Sequence, residues 1–220
     1  MATTSIQTKK TTEVIESPKG MIGGGIEGEF DSSDISTPYL SILQPNSNSE
    51  FKRDHEGSWF VKSMELPLGE HIEVIICGMR KQWEEVLTEA DRKADPSRFP
   101  TIFTTKAAGL DACAEVRPCA EFDLAIKLEK GDDGFDKTSI KHDGAGFLLA
   151  RYSATGRSYK LARTCLTAHN LSGDSHVCGH YFNFGTLIKP AFNQDYRIPT
   201  ATLGDPVPAD LQEKIINALG

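Results

Sequence analysis

Four basic residues and two tyrosines (Arg151, Tyr152, Arg157, Tyr159, Lys160 and Arg163) fall within FLLARYSATGRSYKLAR, residues 147–163, with no acid among them. Cations track phosphates and exposed rings stack on bases, at roughly 1–3 kcal/mol per stacked base. Residue types spaced this way could therefore hold an anion and, with it, a single nucleic-acid strand. Arg80, Lys81 and Trp83 repeat the combination upstream, and Trp59 adds a further aromatic. A helix starting after Thr155-Gly156 would turn its first amides, with Arg157 and Ser158, toward a phosphate. The competing use is structural: strand aromatics commonly fill a core, and outward Lys and Arg are ordinary solvated residues. Phe147, Leu148, Leu149, Phe182 and Phe184 are expected in the core.

A second constellation is Cys165, His169, His176, Cys178 and His180, with Cys113 and Cys119 upstream. Thiolate and imidazole are zinc ligands, and on a strand His176, Cys178 and His180 would share one face. The spacing is not that of a zinc finger, because no CxxC occurs, and Cys165 and Cys178 read equally as small buried residues. No metal or other cofactor is assigned. A GxSxG elbow, HExxH, a Walker loop and the HxE…PCxxC deaminase pattern are all missing, so no residue set identifies an enzyme.

The elements that must position these residues are mainly strands. Residues 1–33 are polar and Gly-rich and read as a flexible arm. Gly23, Gly25 and Gly28 fit GxGxxG there, but no strand precedes them. From residue 34, DISTPYLSIL is an extended piece packed on the core. SWFVKS (58–63), HIEVII at the start of 71–86, CAEFDLAIKLE (119–129), 145–153 and HYFNFGTLIKPAF (180–192) read as strands. Residues 88–110 form an excursion with two prolines and at most a short helix. Residues 158–169 carry Leu161, Cys165, Leu166 and His169 at helical spacing. ADLQEKIINALG, within 206–220, places Leu211, Ile215, Ile216 and Leu219 on one face of a closing helix. The expectation is a mainly β, α+β chain: an OB-like five-stranded barrel over 34–205, with a helix before the last strand and a C-terminal helix.

A net charge of −7 and 39% hydrophobic residues exclude a histone-like polycation but not a local basic groove. No run reaches the ~18 apolar residues of a membrane span, and the N-terminus lacks a secretory apolar core. Five unevenly spaced cysteines suit a reducing compartment. A cytoplasmic location is expected.

Three pieces in order carry a resemblance: DISTPYLSILQPNSNSEF, Cys113 and Cys119 before EFDLAIKLE, and FLLARYSATGRSYKLARTCL. Together with the aromatic strand after them, they span residues 34–195 and resemble a family of bacteriophage OB-fold single-stranded DNA-binding proteins. The resemblance implies a non-enzymatic role in phage replication or recombination, in the host cytoplasm. Its partners would be single-stranded DNA, replication or recombination proteins, and further copies of itself. Arg151, Tyr152, Arg157, Tyr159 and Lys160 would form one wall of the groove, and Arg80, Lys81, Trp83 and Trp59 the other. Members commonly end in an acidic tail, whereas this chain ends in an amphipathic helix. Two alternatives stay open: a phage-encoded protein-interaction factor (an accessory or a host-defence inhibitor), and a metal-dependent enzyme built on the His176–His180 region.

Overall fold

The β-branched and apolar residues of 71–76 and the alternation within 116–128 favour extended, half-buried backbone. They form the two longest strands of the computed structural model, which describes residues 37–45, 55–173, 177–190 and 195–219. The arm expected over 1–33, with its Gly23–Gly25–Gly28 pattern, lies outside them.

In chain order the strands are β1 (Leu40–Ile42), β2 (Trp59–Val61), β3 (Leu66–Gly69), β4 (His71–Glu85), β5 (Ile102–Phe103), β6 (Val116–Leu128), β7 (Ile140–His142), β8 (Ala145–Ala154), β9 (His180–Lys189) and β10 (Tyr196–Pro206). The α-helices are α1 (Glu89–Ala94), α2 (Lys106–Ala112), α3 (Tyr159–Ser172) and α4 (Ala209–Leu219). The large sheet is antiparallel, in the order β10-β9-β4-β6-β8-β7, with β5 on β4; β1-β2-β3 form a smaller sheet.

The two faces of the large sheet are buried differently. On one, Val74, Ile76, Phe122, Leu124, Phe182 and Phe184 pack beneath Trp59, Val61 and Leu66 of the small sheet and Leu161, Ala162 and Cys165 of α3. On the other, Ile75, Phe147 and Leu149 meet Leu211 and Ile215 of α4. One irregularity decides which residues of β4 share a face. The β4–β6 register shifts between Ile76 and Gly78, so Cys77 is the extra residue of a bulge. Side chains of β4 change parity there: Val74 and Ile76 face α3 before it, and Met79, Lys81 and Trp83 face that way after it.

The chain is mainly β with a large antiparallel sheet, as expected, but several elements differ. Backbone pairs among the described residues form an open ladder and do not close a barrel. The small sheet spans part of the gap: Tyr39 bridges to Arg151 of β8, and the Gln44 amide bonds the Arg197 carbonyl and amide of β10, both at 2.7 Å. β4 is strand throughout instead of turning amphipathic, since pairing with β6 continues to Glu85. The 88–110 excursion holds two helices and β5. The aromatic strand is not the last. β10 comes after it, concealed in the sequence by its Gly and two prolines. On α4, Leu211 and Ile215 are buried but Ile216 is half exposed, because at about 100° per residue it sits roughly 140° from Leu211.

Candidate nucleic-acid interface

β8 ends at Ala154, and the chain must reverse within a few residues to enter α3. Gly156 makes this reversal with φ of +53°, and a Cβ there would stand 3.3 Å from the Arg117 guanidinium, so glycine answers both demands. A 3-10 turn over Gly156–Ser158 then leads into α3, which buries Leu161, Ala162 and Cys165. The start of α3 has no acid in its first turn and no side-chain cap. The positive end of a helix favours acids and disfavours cations, yet Arg157, Lys160 and Arg163 all gather there.

The outer side of α3 faces β10. The Arg157 guanidinium lies over the Tyr196 ring, 4.6 Å from its centroid. Lys160, Arg163, Thr164, Thr167 and Leu171 of α3, with Ala201, Thr202 and Leu203 of β10, line an open groove of about 630 Å³. Arg157, Lys160 and Arg163 have no carboxylate partner among the described residues. Tyr159, at the same turn, is half buried and packs against the core.

The other expected members divide sharply. Arg80 and Arg151 lie on the opposite face of the sheet from α3 and are bound to acids. Arg80 Nη2 is 3.2 Å from Glu121 and 3.0 Å from Asp123, Arg151 Nε is 3.1 Å from Asp123, and Tyr39 donates to Glu121 at 3.3 Å. Two cations and two carboxylates leave this patch neutral. Tyr152 and Trp59 offer no surface to a base. Trp59 is fully buried, its ring edge-to-face with Tyr152 at 5.2 Å and beside Phe184 at 5.8 Å. Burial pushes the Tyr152 phenol up to about 12, with the Ser158 hydroxyl bonded to it acting the other way. Both aromatics belong to the core because β8 and β2 point them between the two sheets.

Lys81 and Trp83 stay together, separated from Arg80 by strand alternation. Lys81 Nζ is 5.0 Å from the Trp83 ring centroid, and Lys106 Nζ of α2 is 5.5 Å from it. The structure thus brings together Arg157, Tyr159 and Lys160 as expected, and Lys81 with Trp83. Tyr196 and Lys106 are additions, and Arg163, named in the basic window but not in the expected groove wall, joins them. Arg163 stands three residues after Lys160, a spacing that marks one helix face. Tyr196 lies on β10, which the sequence pattern does not declare, and Lys106 lies inside the excursion.

The described members of the cysteine and histidine cluster are not brought into one metal site. Cys165 packs on the α3 face and Cys178 on the α4 face, residues 177–179 form a 3-10 turn rather than a strand, and His176 lies outside the described residues. No group of three or more His, Cys, Asp or Glu placed to hold a metal occurs among the described residues. Burial pushes the Cys77 and Cys165 thiols up to about 12 and Cys119 to about 11, so all three stay protonated near neutral pH.

No family model, curated protein or solved structure matches the chain. No helix among the described residues is long and apolar enough to cross a membrane.

Proposed function

We propose that the protein binds single-stranded DNA without sequence preference, on an OB-like scaffold, as a non-enzymatic factor of phage replication or recombination. The resemblance of residues 34–195 to phage OB-fold single-stranded DNA-binding proteins supports the class. The observation that carries the reading is the cationic, uncapped start of α3. Arg157, Lys160 and Arg163 lie at the positive end of a helix with no acid in its first turn and no carboxylate partner among the described residues, so a polyanion is the ligand that offsets their mutual repulsion. The open groove along β10 and the Tyr196 ring beneath Arg157 continue the cationic surface, and cation–aromatic contacts of this kind recur in single-strand binders. Titration of a fluorescein-labelled oligo-dT with the protein at low salt, followed by anisotropy, tests the proposal. Saturable binding that weakens steeply with salt and is shared by other single-stranded sequences supports it; no anisotropy change at micromolar protein overturns it.

A second reading rests on a specific observation in the same groove. Leu171 is 82% exposed and Leu203 39% exposed, and apolar side chains beside a polar rim also suit a protein segment. A phage-encoded interaction factor would recover one stoichiometric protein from host lysate after nuclease treatment, and no nucleic acid.

A further inference from the structure

Trp83 belongs to neither hydrophobic core and is only half buried, which is unusual for a large ring on the longest strand of a sheet. Its register partners are Pro118 on β6 and Phe103 on β5. Paired strands therefore flank it on both sides, with Pro118 and Phe103 on the same face of the sheet. Two ammonium groups converge on it, Lys81 at 5.0 Å and Lys106 at 5.5 Å, and neither has a carboxylate partner among the described residues. Like charges drawn to one ring repel each other, and that repulsion is relieved when an anion sits between them.

Lys106 does not reach the ring by chance of a loose loop. Glu85, at the end of β4, accepts from Arg98 Nη2 at 2.5 Å and from the Thr101 amide at 3.1 Å, which pins the excursion to the strand. Further along, Gly109 lets α2 lie close: a Cβ there would stand 2.8 Å from Val116 and 3.2 Å from Phe103. The excursion is thus held as a fixed arm, and Lys106 is the first residue of its second helix. The site also lies near the turn that enters α3. Lys81 pairs with Ala120 and Ala120 with Ala154, so Lys81 lies two strands, roughly 10 Å, from the residue that enters the turn before Arg157. The bulge at Cys77 places it on the same face as α3.

We infer that Trp83 is the position on which a base of the bound single strand stacks, with Lys81 and Lys106 holding neighbouring phosphates. The inference rests on the nucleic-acid reading above and names the base-contacting part of that site. A ring fixed on a sheet can stack only a base that is free of its duplex partner, so the contact selects single strands over duplex.

The test uses the full chain carrying Trp59→Phe, which keeps a ring in the core and leaves Trp83 as the only tryptophan. Labelled oligo-dT anisotropy reads binding, and Trp83 fluorescence with unlabelled oligo-dT reads stacking. The expected result is quenching of Trp83 by oligo-dT, and little by a blunt duplex. Binding should weaken roughly 5- to 150-fold in Trp83→Ala, the range set by one stacked base, and recover in Trp83→Phe. Lys106→Glu, at an exposed position, should weaken binding without altering the fold by circular dichroism. Wild-type affinity in Lys106→Glu and Trp83→Ala with an unquenched Trp83, or equal quenching by duplex, overturns the inference while leaving the proposed function standing. Absence of any anisotropy change with the parent chain overturns the proposed function and the inference with it.

Discussion

The molecule has two basic regions that look alike in composition and differ in what balances them. On the α4 side of the sheet, Arg80 and Arg151 straddle Glu121 and Asp123, and every charge has its opposite within reach. On the α3 side, Arg157, Lys160 and Arg163 crowd a helix start that lacks both an acid and a cap. Helix α1 shows how the same chain treats a helix start that needs nothing from outside. Thr88 and Asp91 form a reciprocal capping box, Glu89 and Asp91 sit in the first turn, and Arg92 and Lys93 in the last, each charge complementing the dipole. The contrast shows that a count of cations does not locate a binding surface. On the proposed reading, the surface lies where cations are left without acids.

Charge reversal should separate the two regions most strongly. Arg157→Glu, Lys160→Glu and Arg163→Glu together should abolish oligo-dT binding at moderate salt. Taken singly, each should lower the salt slope by about 0.7 for every phosphate it no longer neutralises, read from anisotropy titrations across a salt series. The core aromatic comes next: Trp59→Ala should cost about 3–5 kcal/mol of stability, the usual range for a buried Trp or Phe, measured by urea unfolding.

A middle-sized effect is expected at the excursion under acid. The Thr101 amide, and then the Arg98 guanidinium, hold the Glu85 carboxyl below its usual range. Thr88 does the same for Asp91 and Ser97 for Asp95, each aided by Arg98. Depressed values mean the folded state prefers the ionised forms. Their stabilisation is complete above the ordinary carboxylate range of about 4 and is lost as pH falls through the lower folded values. Amide exchange in residues 88–110 should therefore accelerate below about pH 4 before the β4–β6 ladder does. Glu85→Gln should show that loosening already at neutral pH. The smallest effect is expected at the neutral patch. Asp123→Asn removes the carboxylate shared by two half-exposed arginines, one of which keeps Glu121, and should cost about 1 kcal/mol or less, with oligo-dT binding unchanged. A drop in binding there equal to that at α3 would erase the distinction between the regions.

Much of the strand and helix pattern is legible in the sequence because periodicity is local. The alternation of 119–128, the apolar start of 71–86 and the helical spacing of Leu161 and Cys165 each declare one element. β10 is not, since Pro199, Gly204 and Pro206 interrupt what would otherwise read as a strand and its pairing comes wholly from β9. The site is half legible for related reasons. Arg157, Tyr159 and Lys160 are nearly contiguous, so any fold keeps them together. Arg80, Lys81 and Trp83 are equally close in sequence, but a strand throws neighbours to opposite faces, and the bulge at Cys77 decides which. Trp59 and Tyr152 carry the same residue types as a stacking surface, and only the small sheet lying over them makes them core. Tyr196 and Lys106 reach the proposed interface through long-range packing that no local spacing encodes.

The most direct measurement is the affinity of the full chain for oligo-dT as a function of salt, compared with the chain carrying Arg157→Glu, Lys160→Glu and Arg163→Glu and the chain carrying Arg80→Ala and Arg151→Ala. The expected result is steep salt dependence in the parent chain, retained in the Arg80 and Arg151 variant and gone from the α3 variant. Equal binding by all three, or no binding by any, would contradict the assignment of the start of α3 as the surface that meets single-stranded DNA.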